Sequence, residues 1–263
     1  MLTAGIDVGS STAKAVLLID NKIISYSIIP TGAESAESAQ KVLDEALFKA
    51  KTVSFSDIEG ITATGYGRVI VTFATETVTE LSCHVRGANW LFPTVRTVLD
   101  MGGQDCKAIK CDAHGKLLNF TMNDKCAAGT GRFFEIIAKV MDLPLNDLGK
   151  LSLETDKEVR ISSTCAVFGK SEVASLIRQG RNKNDILGGV HTAVSDRVIT
   201  LLRRVGITPD LAITGGIAHN AGIVKRVEER VGFKALIPEE PQIVGALGAA
   251  LFARDRATVK LSR

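Results

Sequence analysis

The chain has 263 residues, of which 45% are hydrophobic and only 5% are aromatic, and its formal net charge is +3. That length is enough for one large domain or two ordinary ones, with a core built mainly from aliphatic side chains. The basic residues form no run with interleaved aromatics, and no apolar run approaches the ~20 residues that span a bilayer, so we expect neither nucleic acid nor a membrane as a partner. Because Asp7 interrupts the first apolar stretch, we expect no signal peptide and a cytoplasmic location.

The predicted elements alternate between strands and helices along the whole chain. In the first part, the hydrophobic periodicity predicts strands at 4–8, 15–19, 22–29 and 58–66 and helices at 37–50 and 75–92. In the second part, it predicts strands at 96–101, 107–110 and 211–214 and helices at about 126–141, 165–180, 184–205, 219–231 and from Gln242 onward. The last helix is rich in glycine and alanine, so it can pack closely against another backbone.

One sequence pattern, D-x-G-x4-K, occurs twice, at residues 7–14 and at residues 100–107, offset by 93 residues (100 − 7). Apolar, strand-like segments flank both copies, and a third strand follows each copy after a polar turn. Agreement in spacing, flanks and following strand favours an internal duplication over chance. We therefore predict an α/β fold of two duplicated lobes, 1–95 and 96–241, with a nucleotide cleft between them. The helix at about 242–258 is expected to pack back on the first lobe.

A glycine at the apex of a tight turn leaves backbone N–H groups pointing outward, where they can bind the oxygens of a phosphate. The first copy adds hydroxyl groups and a lysine, in the stretch Ser10, Ser11, Thr12, Ala13 and Lys14. The second copy offers Gly102, Gly103 and the amide of Gln104. Asp7 and Asp100 precede the turns, where a carboxylate could hold water on a Mg²⁺ ion. For either turn alone, a simple Asx turn is the competing interpretation.

Two further glycine stretches support nucleotide binding. Gly215 and Gly216 follow a predicted strand, and Gly129, Thr130 and Gly131 lie at a predicted helix start, where an anion could also bind. The chain has neither the Walker pattern nor the Rossmann fingerprint.

The five cysteines are an odd number, which argues against the disulfide framework of a secreted protein. We expect Cys83, Cys106 and Cys111 to be buried thiols. Cys126 and Cys165 differ, because each follows a short polar run and opens a predicted helix. Two thiolates alone do not complete a four-ligand metal site.

Six motifs occur in an order that closely resembles the activator ATPases of 2-hydroxyacyl-CoA dehydratases: GIDVGSSTAK, LDMGGQD, NDKCAAGTGRF, ISSTCAVF, ITGGIAHN and GALGAALFA. The wider group includes the ATPase subunits of benzoyl-CoA reductases and activators of double-cubane iron–sulfur proteins. The resemblance spans nearly the whole chain, and the two cysteine motifs are its most specific part. It implies an actin-like ATPase fold, that of the superfamily of acetate and sugar kinases, heat-shock ATPases and actin.

The resemblance also implies an activity: an ATPase that drives low-potential, one-electron transfer into a dehydratase or reductase. It implies a homodimer with one [4Fe–4S] cluster, held by Cys126 and Cys165 of each chain, and a ferredoxin or flavodoxin as electron donor. By position it maps ATP or ADP onto residues 10–14, Gly102 to Gln104, Gly215 and Gly216, and Gln242. For hydrolysis, Gln104 or Asp105 could orient the water and Asp7 or Asp100 could hold Mg²⁺.

Two other functions stay open from the sequence. A small-molecule kinase of the same superfamily would need a base placed for the acceptor hydroxyl and a substrate pocket, and no such pocket is recognisable between Asp57 and Phe92. A non-catalytic, actin-like assembly protein would need no ligand cysteines.

Overall fold

The computed structural model describes residues 1–32, 34–123, 129–155, 157–162 and 166–261. In these ranges the strands are β1 (Leu2–Val8), β2 (Thr12–Ile19), β3 (Lys22–Pro30), β4 (Ile58–Thr64), β5 (Glu76–Thr77), β6 (Thr97–Met101), β7 (Cys106–Cys111), β8 (Leu117–Asn123) and β9 (Leu211–Thr214). The helices are α1 (Ser35–Ala50), α2 (Glu80–Leu91), α3 (Gly131–Met141), α4 (Leu148–Leu151), α5 (Ala166–Arg178), α6 (Lys183–Val205), α7 (Ala221–Val231) and α8 (Val244–Leu261). None of the described helices is both long enough and apolar enough to cross a bilayer.

The strands form two sheets with the same core topology. One sheet has the order β3-β2-β1-β4-β5 and the other the order β8-β7-β6-β9. In each, a central strand pairs antiparallel with the next strand in sequence, as β1 does with β2 and β6 with β7. The same central strand pairs parallel with a later one, β1 with β4 and β6 with β9. This shared topology supports the internal duplication.

The chain divides into two compact units. The first unit comprises residues 1–96, 111–118 and 242–263, and the second comprises residues 97–110 and 119–241. In the second unit, the core side chains come from strands β6, β7 and β9 and from helices α3 to α7.

In the first unit β1 is buried on both faces, as expected of a central strand with helices on either side. Leu2, Ala4 and Ile6 face the core that includes α1. Alternation turns Gly5 and Asp7 to the other face. There, Gly5 lets the carbonyl of Ala246 in α8 approach so closely that a Cβ would overlap it. The small residues of the last helix thus allow the close packing that the sequence predicts.

The predicted helix at 75–92 is wrong over its first residues. Glu76 and Thr77 form β5, which pairs parallel with Thr62 and Ala63 of β4. The helix α2 starts only at Glu80, where the Thr79 hydroxyl accepts a hydrogen bond from the backbone N–H of Ser82. The alternation of threonine and valine in this stretch explains the difference, because β-branched side chains favour the strand conformation.

The predicted helix at about 126–141 is also wrong at residues 129 and 130, the part of its start that the structure describes. Gly129 has a positive φ of 105°, and Thr130 is extended, with φ −118° and ψ 168°. The helix α3 therefore begins at Gly131, with Thr130 as its N-cap residue.

Candidate functional site

The D-x-G-x4-K pattern pairs an aspartate with a lysine across two antiparallel strands in each sheet. The register places Asp7 opposite Lys14 and Asp100 opposite Lys107. Lys14 Nζ lies 3.2 Å from Asp7 Oδ2, and Lys107 Nζ lies 3.5 Å from Asp100 Oδ2. Because burying a charge is costly unless it is paired, each lysine neutralises the aspartate of its own repeat.

The turn between the paired strands is closed in the same way in both repeats. The Gly9 N–H donates to the Thr12 carbonyl at 3.0 Å, and the Gly102 N–H donates to the Asp105 carbonyl at 3.0 Å. Positions 9 and 12 match positions 102 and 105 at the offset of 93 residues. The duplication therefore extends to the hydrogen bond that shapes the turn.

The turn carbonyls are held by other backbone and side-chain donors. In the first unit, Thr31 donates its hydroxyl to the Gly9 carbonyl and its N–H to the Ser11 carbonyl, both at 2.9 Å. In the second unit, the Gly102 carbonyl accepts from the Gly131 N–H at 2.9 Å, and the Gly103 carbonyl accepts from the Arg132 N–H at 2.8 Å. These bonds orient the turns so that their remaining N–H groups are available to an anion.

The tip residues of both turns carry groups suited to phosphate. Within the described part of the chain, the Ser10 and Ser11 N–H groups donate no backbone hydrogen bond. Ser10 is exposed and Ser11 is half-buried, whereas Ala13 points into the core. In the second turn Gln104 is exposed and Gly103 is half-buried.

The carboxylate of Asp7 has one oxygen that no described group satisfies. The residue is only 3% exposed, Oδ2 faces Lys14, and Oδ1 has no hydrogen-bond partner among the described residues. Two glycines lie close against it: a Cβ at Gly65 would overlap Oδ1, and a Cβ at Gly245 would lie 3.1 Å from Oδ2. An anionic oxygen without a partner among the described residues is a suitable acceptor for the water shell of a Mg²⁺ ion, which is bound through few carboxylates and several waters.

The matching carboxylate in the second repeat is more fully engaged. The Thr214 hydroxyl donates to Asp100 Oδ1 at 2.9 Å, in addition to the lysine at Oδ2. Thr64 occupies the same place opposite Asp7 in the register, but no hydrogen bond joins its hydroxyl to Asp7. The two repeats therefore share a backbone and differ in which carboxylate has a free oxygen.

Each parallel strand beside the aspartate is followed directly by a glycine with a positive φ, Gly65 at 86° and Gly215 at 80°. A Cβ at Gly65 would lie 2.6 Å from the Val8 carbonyl, and a Cβ at Gly215 would lie 2.9 Å from Asp100 Oδ1. A larger residue at either position would therefore have a strained backbone and would also clash with neighbouring atoms.

We expect Gly65→Ala and Gly215→Ala each to lower the free energy of unfolding by about 1–3 kcal/mol through backbone strain and by about 1–3 kcal/mol more through the close contacts, whereas Gly232→Ala should lose only the first part. Chemical denaturation of the purified variants measures this loss. Gly232→Ala is the matched control, because Gly232 also has a positive φ, 84°, but has no atom near its missing Cβ. If all three variants lost the same stability, the close contacts with the aspartates would not matter.

The other predicted nucleotide contacts are placed as follows. Gly215 donates its N–H to the Pro241 carbonyl at 2.9 Å, and Gly216 is exposed at the start of a short 3-10 helix. Gln242 lies in the 3-10 turn directly before α8. The Gly131 N–H does not face open solvent, because it already bonds to the Gly102 carbonyl. The stretch 129–131 is therefore tied to the second turn.

Cys126 and Cys165 lie outside the described residues; α5 begins at Ala166, the residue after Cys165 in the sequence. The expectation for the other three cysteines is confirmed, since each is a buried, free thiol. Burial raises the pKa of the Cys83 thiol to about 12 and that of the Cys111 thiol to about 11. Thiols that keep their protons in this way are poor nucleophiles and poor metal ligands.

Sequence reasoning assigned no role to three residues that lie beside the two carboxylates: Gly65, Lys107 and Thr214. A Thr-Gly pair ends both β4 and β9, so the repeat could have revealed Gly65 and Thr214. Lys107 was visible as the last residue of the second repeat, but only the register shows that it faces Asp100.

Comparison with known proteins extends over nearly the whole chain. Residues 4–253 match the model of the BadF/BadG/BcrA/BcrD ATPase family. The (R)-2-hydroxyglutaryl-CoA dehydratase activating ATPase of Acidaminococcus fermentans is 44% identical, and the match covers 97% of this chain and 98% of that protein. The activator of lactoyl-CoA dehydratase of Anaerotignum propionicum is 43% identical, and the match covers 99% of this chain and 100% of that protein. The solved structure of the 2-hydroxyisocaproyl-CoA dehydratase activator from Clostridium difficile with bound ADPNP superposes with a TM-score of 0.94 at 41% identity, covering 100% of this chain and 97% of that one. The chain therefore belongs to the BadF/BadG/BcrA/BcrD ATPase family and has the actin-like ATPase fold.

Proposed function

We propose that this protein hydrolyses ATP and uses the hydrolysis to drive single electrons at low potential into an iron–sulfur enzyme, a 2-hydroxyacyl-CoA dehydratase or a related reductase. The observation that carries the proposal is the full-length similarity to three dehydratase activators at 42–44% identity. The buried Asp7, with its open oxygen beside a turn of unpaired N–H groups, supplies a matching site for Mg²⁺ and phosphate.

In the proposed site, each repeat binds phosphate oxygens with the backbone of its turn. Residues 10–14 and Gly102 to Gln104 supply N–H and hydroxyl donors, while Gly215, Gly216 and Gln242 are the remaining contacts with the nucleotide. Asp7 would hold a Mg²⁺ ion through the water of its shell, and the ion would supply positive charge to the phosphates.

We further propose that Cys126 and Cys165 hold half of a [4Fe–4S] cluster. Such clusters take four thiolates, and one chain offers two outside its buried thiols, so a second copy of the chain would supply the other pair. The cluster supplies one-electron chemistry when bound. A cytoplasmic homodimer that receives electrons from a ferredoxin or flavodoxin is consistent with this arrangement.

The link between the two halves of this chemistry is a pair of backbone hydrogen bonds. The carbonyls of Gly102 and Gly103, in the second turn, accept from the first two N–H groups of α3. Cys126 lies only five positions before Gly131 in the sequence. A shift of the second turn on nucleotide exchange would therefore be passed to the start of α3 and on to the segment that carries Cys126.

Gly131→Pro tests this link directly. Proline is well tolerated at the first position of a helix, and the extended Thr130 has the backbone that a residue before proline prefers. The substitution removes the N–H that bonds to the Gly102 carbonyl and puts the proline Cδ in its place, so this carbonyl must also move away from α3. We expect ATP hydrolysis to continue while the difference between the ATP-bound and ADP-bound absorption and electron paramagnetic resonance spectra disappears.

Gly131→Ala is the matched control, because it keeps the N–H and its Cβ would lie 3.4 Å from the Gly102 carbonyl, an ordinary contact. It should retain the nucleotide-dependent spectra. If Gly131→Pro also retained them, the two hydrogen bonds would not transmit the nucleotide state.

The proposal as a whole is tested with anaerobically purified protein, a chemical reductant and a purified dehydratase of the related class. We expect the dehydratase to become reduced only when ATP and Mg²⁺ are present and ATP is consumed. Reduction that proceeds equally without ATP, or phosphorylation of a sugar or carboxylic acid at the expense of ATP, would contradict it.

A further inference from the structure

Lys107 is the largest fully buried side chain that carries a charge in the described part of the chain, at 2% exposure. Its ammonium group lies between two carboxylates of the second unit, 2.7 Å from Asp105 Oδ1 and 3.5 Å from Asp100 Oδ2. The first repeat has no such trio, because the position that matches Asp105 at the offset of 93 residues is Thr12. The second carboxylate is thus specific to the second turn.

The bond from Lys107 fixes the turn that carries Gln104. Asp105 is joined to Lys107 through its side chain and to the Gly102 N–H through its carbonyl. Its Oδ1 also packs against the α-carbon of Gly102, where a Cβ would lie 2.8 Å away. On the other side of Gln104, the Gly102 and Gly103 carbonyls are held by α3. Every residue of the turn except Gln104 is therefore anchored, and Gln104 alone is exposed.

This arrangement separates the two residues that compete to orient the hydrolytic water. Asp105 Oδ1 accepts a hydrogen bond from the Lys107 ammonium group, which holds this carboxylate against the lysine. The amide of Gln104 can both donate to and accept from a water molecule. We infer that Lys107 is a positioning residue of the hydrolytic site: it anchors Asp105 and so holds Gln104 toward the attacking water.

This inference rests on the proposed ATPase function, and a pair of variants at position 105 tests it while the lysine stays in place. Asp105→Asn keeps an oxygen that accepts from Lys107, whereas Asp105→Ala removes it; Lys107 keeps Asp100 as its partner in both. We expect Asp105→Ala to lower the maximal rate of ATP hydrolysis about 100-fold, the usual loss when a reacting group is misplaced by about 1 Å. Asp105→Asn should lose clearly less than Asp105→Ala, because its amide oxygen still accepts from Lys107.

Lys107→Met, which keeps the length of the side chain without its charge, removes the bond to Asp105 and also the pair with Asp100, so it should lose at least the same factor. Combined with Asp105→Ala it should lose no more than Lys107→Met alone, because the bond between the two side chains is already gone. Asp112→Ala is the control for loosening a turn: Asp112 accepts from two N–H groups in the β7–β8 turn of the same sheet. It should hydrolyse ATP at the wild-type rate.

Each alternative outcome would overturn the inference. Equal large losses in Asp105→Asn and Asp105→Ala would make Asp105 itself the acid or base. Unchanged rates in both would make the pair with Lys107 a packing feature only, and this comparison stands even if Lys107→Met does not fold. Failure of the proposed function would appear differently, as a wild-type protein that hydrolyses no ATP.

Discussion

Replacing Cys126 or Cys165 by alanine is expected to abolish iron binding in the anaerobically purified protein. The proposed homodimer should contain about four iron atoms and four sulfides, because a [4Fe–4S] cluster takes four thiolates and each chain would supply two. With one cysteine removed from each chain, only two thiolates remain per dimer. Colorimetric iron and sulfide assays, together with the visible absorption of the cluster, measure the loss.

Cys111→Ser is the matched control for this experiment. The Cys111 thiol is buried and donates to the Val95 carbonyl at 3.7 Å, a bond that a hydroxyl can keep. This variant should retain all of the iron. Loss of iron in Cys111→Ser but not in Cys126→Ala, or a wild-type protein without iron that still activates the partner, would contradict the assignment.

The second large effect is expected at Asp7. Asp7→Asn removes the charge from the open oxygen while it keeps the size of the side chain. A metal ion contributes several kcal/mol to stabilising a phosphoryl-transfer transition state, so we expect the rate of Mg²⁺-dependent ATP hydrolysis to fall about 100-fold or more. Steady-state kinetics over a range of Mg²⁺ concentrations should show a higher requirement for Mg²⁺.

Two measurements separate this effect from a folding defect. Lys14 loses its ion pair in Asp7→Asn, so a thermal melt should show a moderate loss of stability with the fold retained. Asp20→Asn in the β2–β3 turn is the control, because Asp20 is exposed and its positive φ of 53° is a backbone that asparagine tolerates. Near-normal hydrolysis by Asp7→Asn would exclude Asp7 as the Mg²⁺ residue.

Much of the fold follows from local sequence. The strands of the two hairpins, the amphipathic α1 and the long α6 have clear periodicity, and the repeated spacing identifies the duplication. The wrong predictions occur where contacts with other elements determine the secondary structure. Residues 75–77 have a pattern that a helix could also satisfy, and their place beside β4 depends on a pairing that local sequence does not contain. The start of α3 is decided by hydrogen bonds to the second turn, nearly thirty residues earlier in the chain.

The candidate site likewise has features that the sequence predicts and features that it does not. The residue types at both turns could be predicted, because glycine, serine and aspartate at a strand end have few structural alternatives. Which oxygen of which aspartate is open could not be predicted, since it depends on whether Thr64 or Thr214 turns its hydroxyl toward the carboxylate. Lys107 gives no sign in the sequence that its side chain is buried between two acids.

The cross-strand pair of aspartate and lysine bears on how such a protein could have evolved. Because the lysine that neutralises each aspartate belongs to the same repeat, a duplicated half would already have contained the counterion of its buried carboxylate. It would have needed no compensating substitution in the other half. Selection could then modify one copy at a time. The acid at position 105 and the hydrogen-bonded Thr214 occur in the second copy alone, so the two copies now differ around their aspartates.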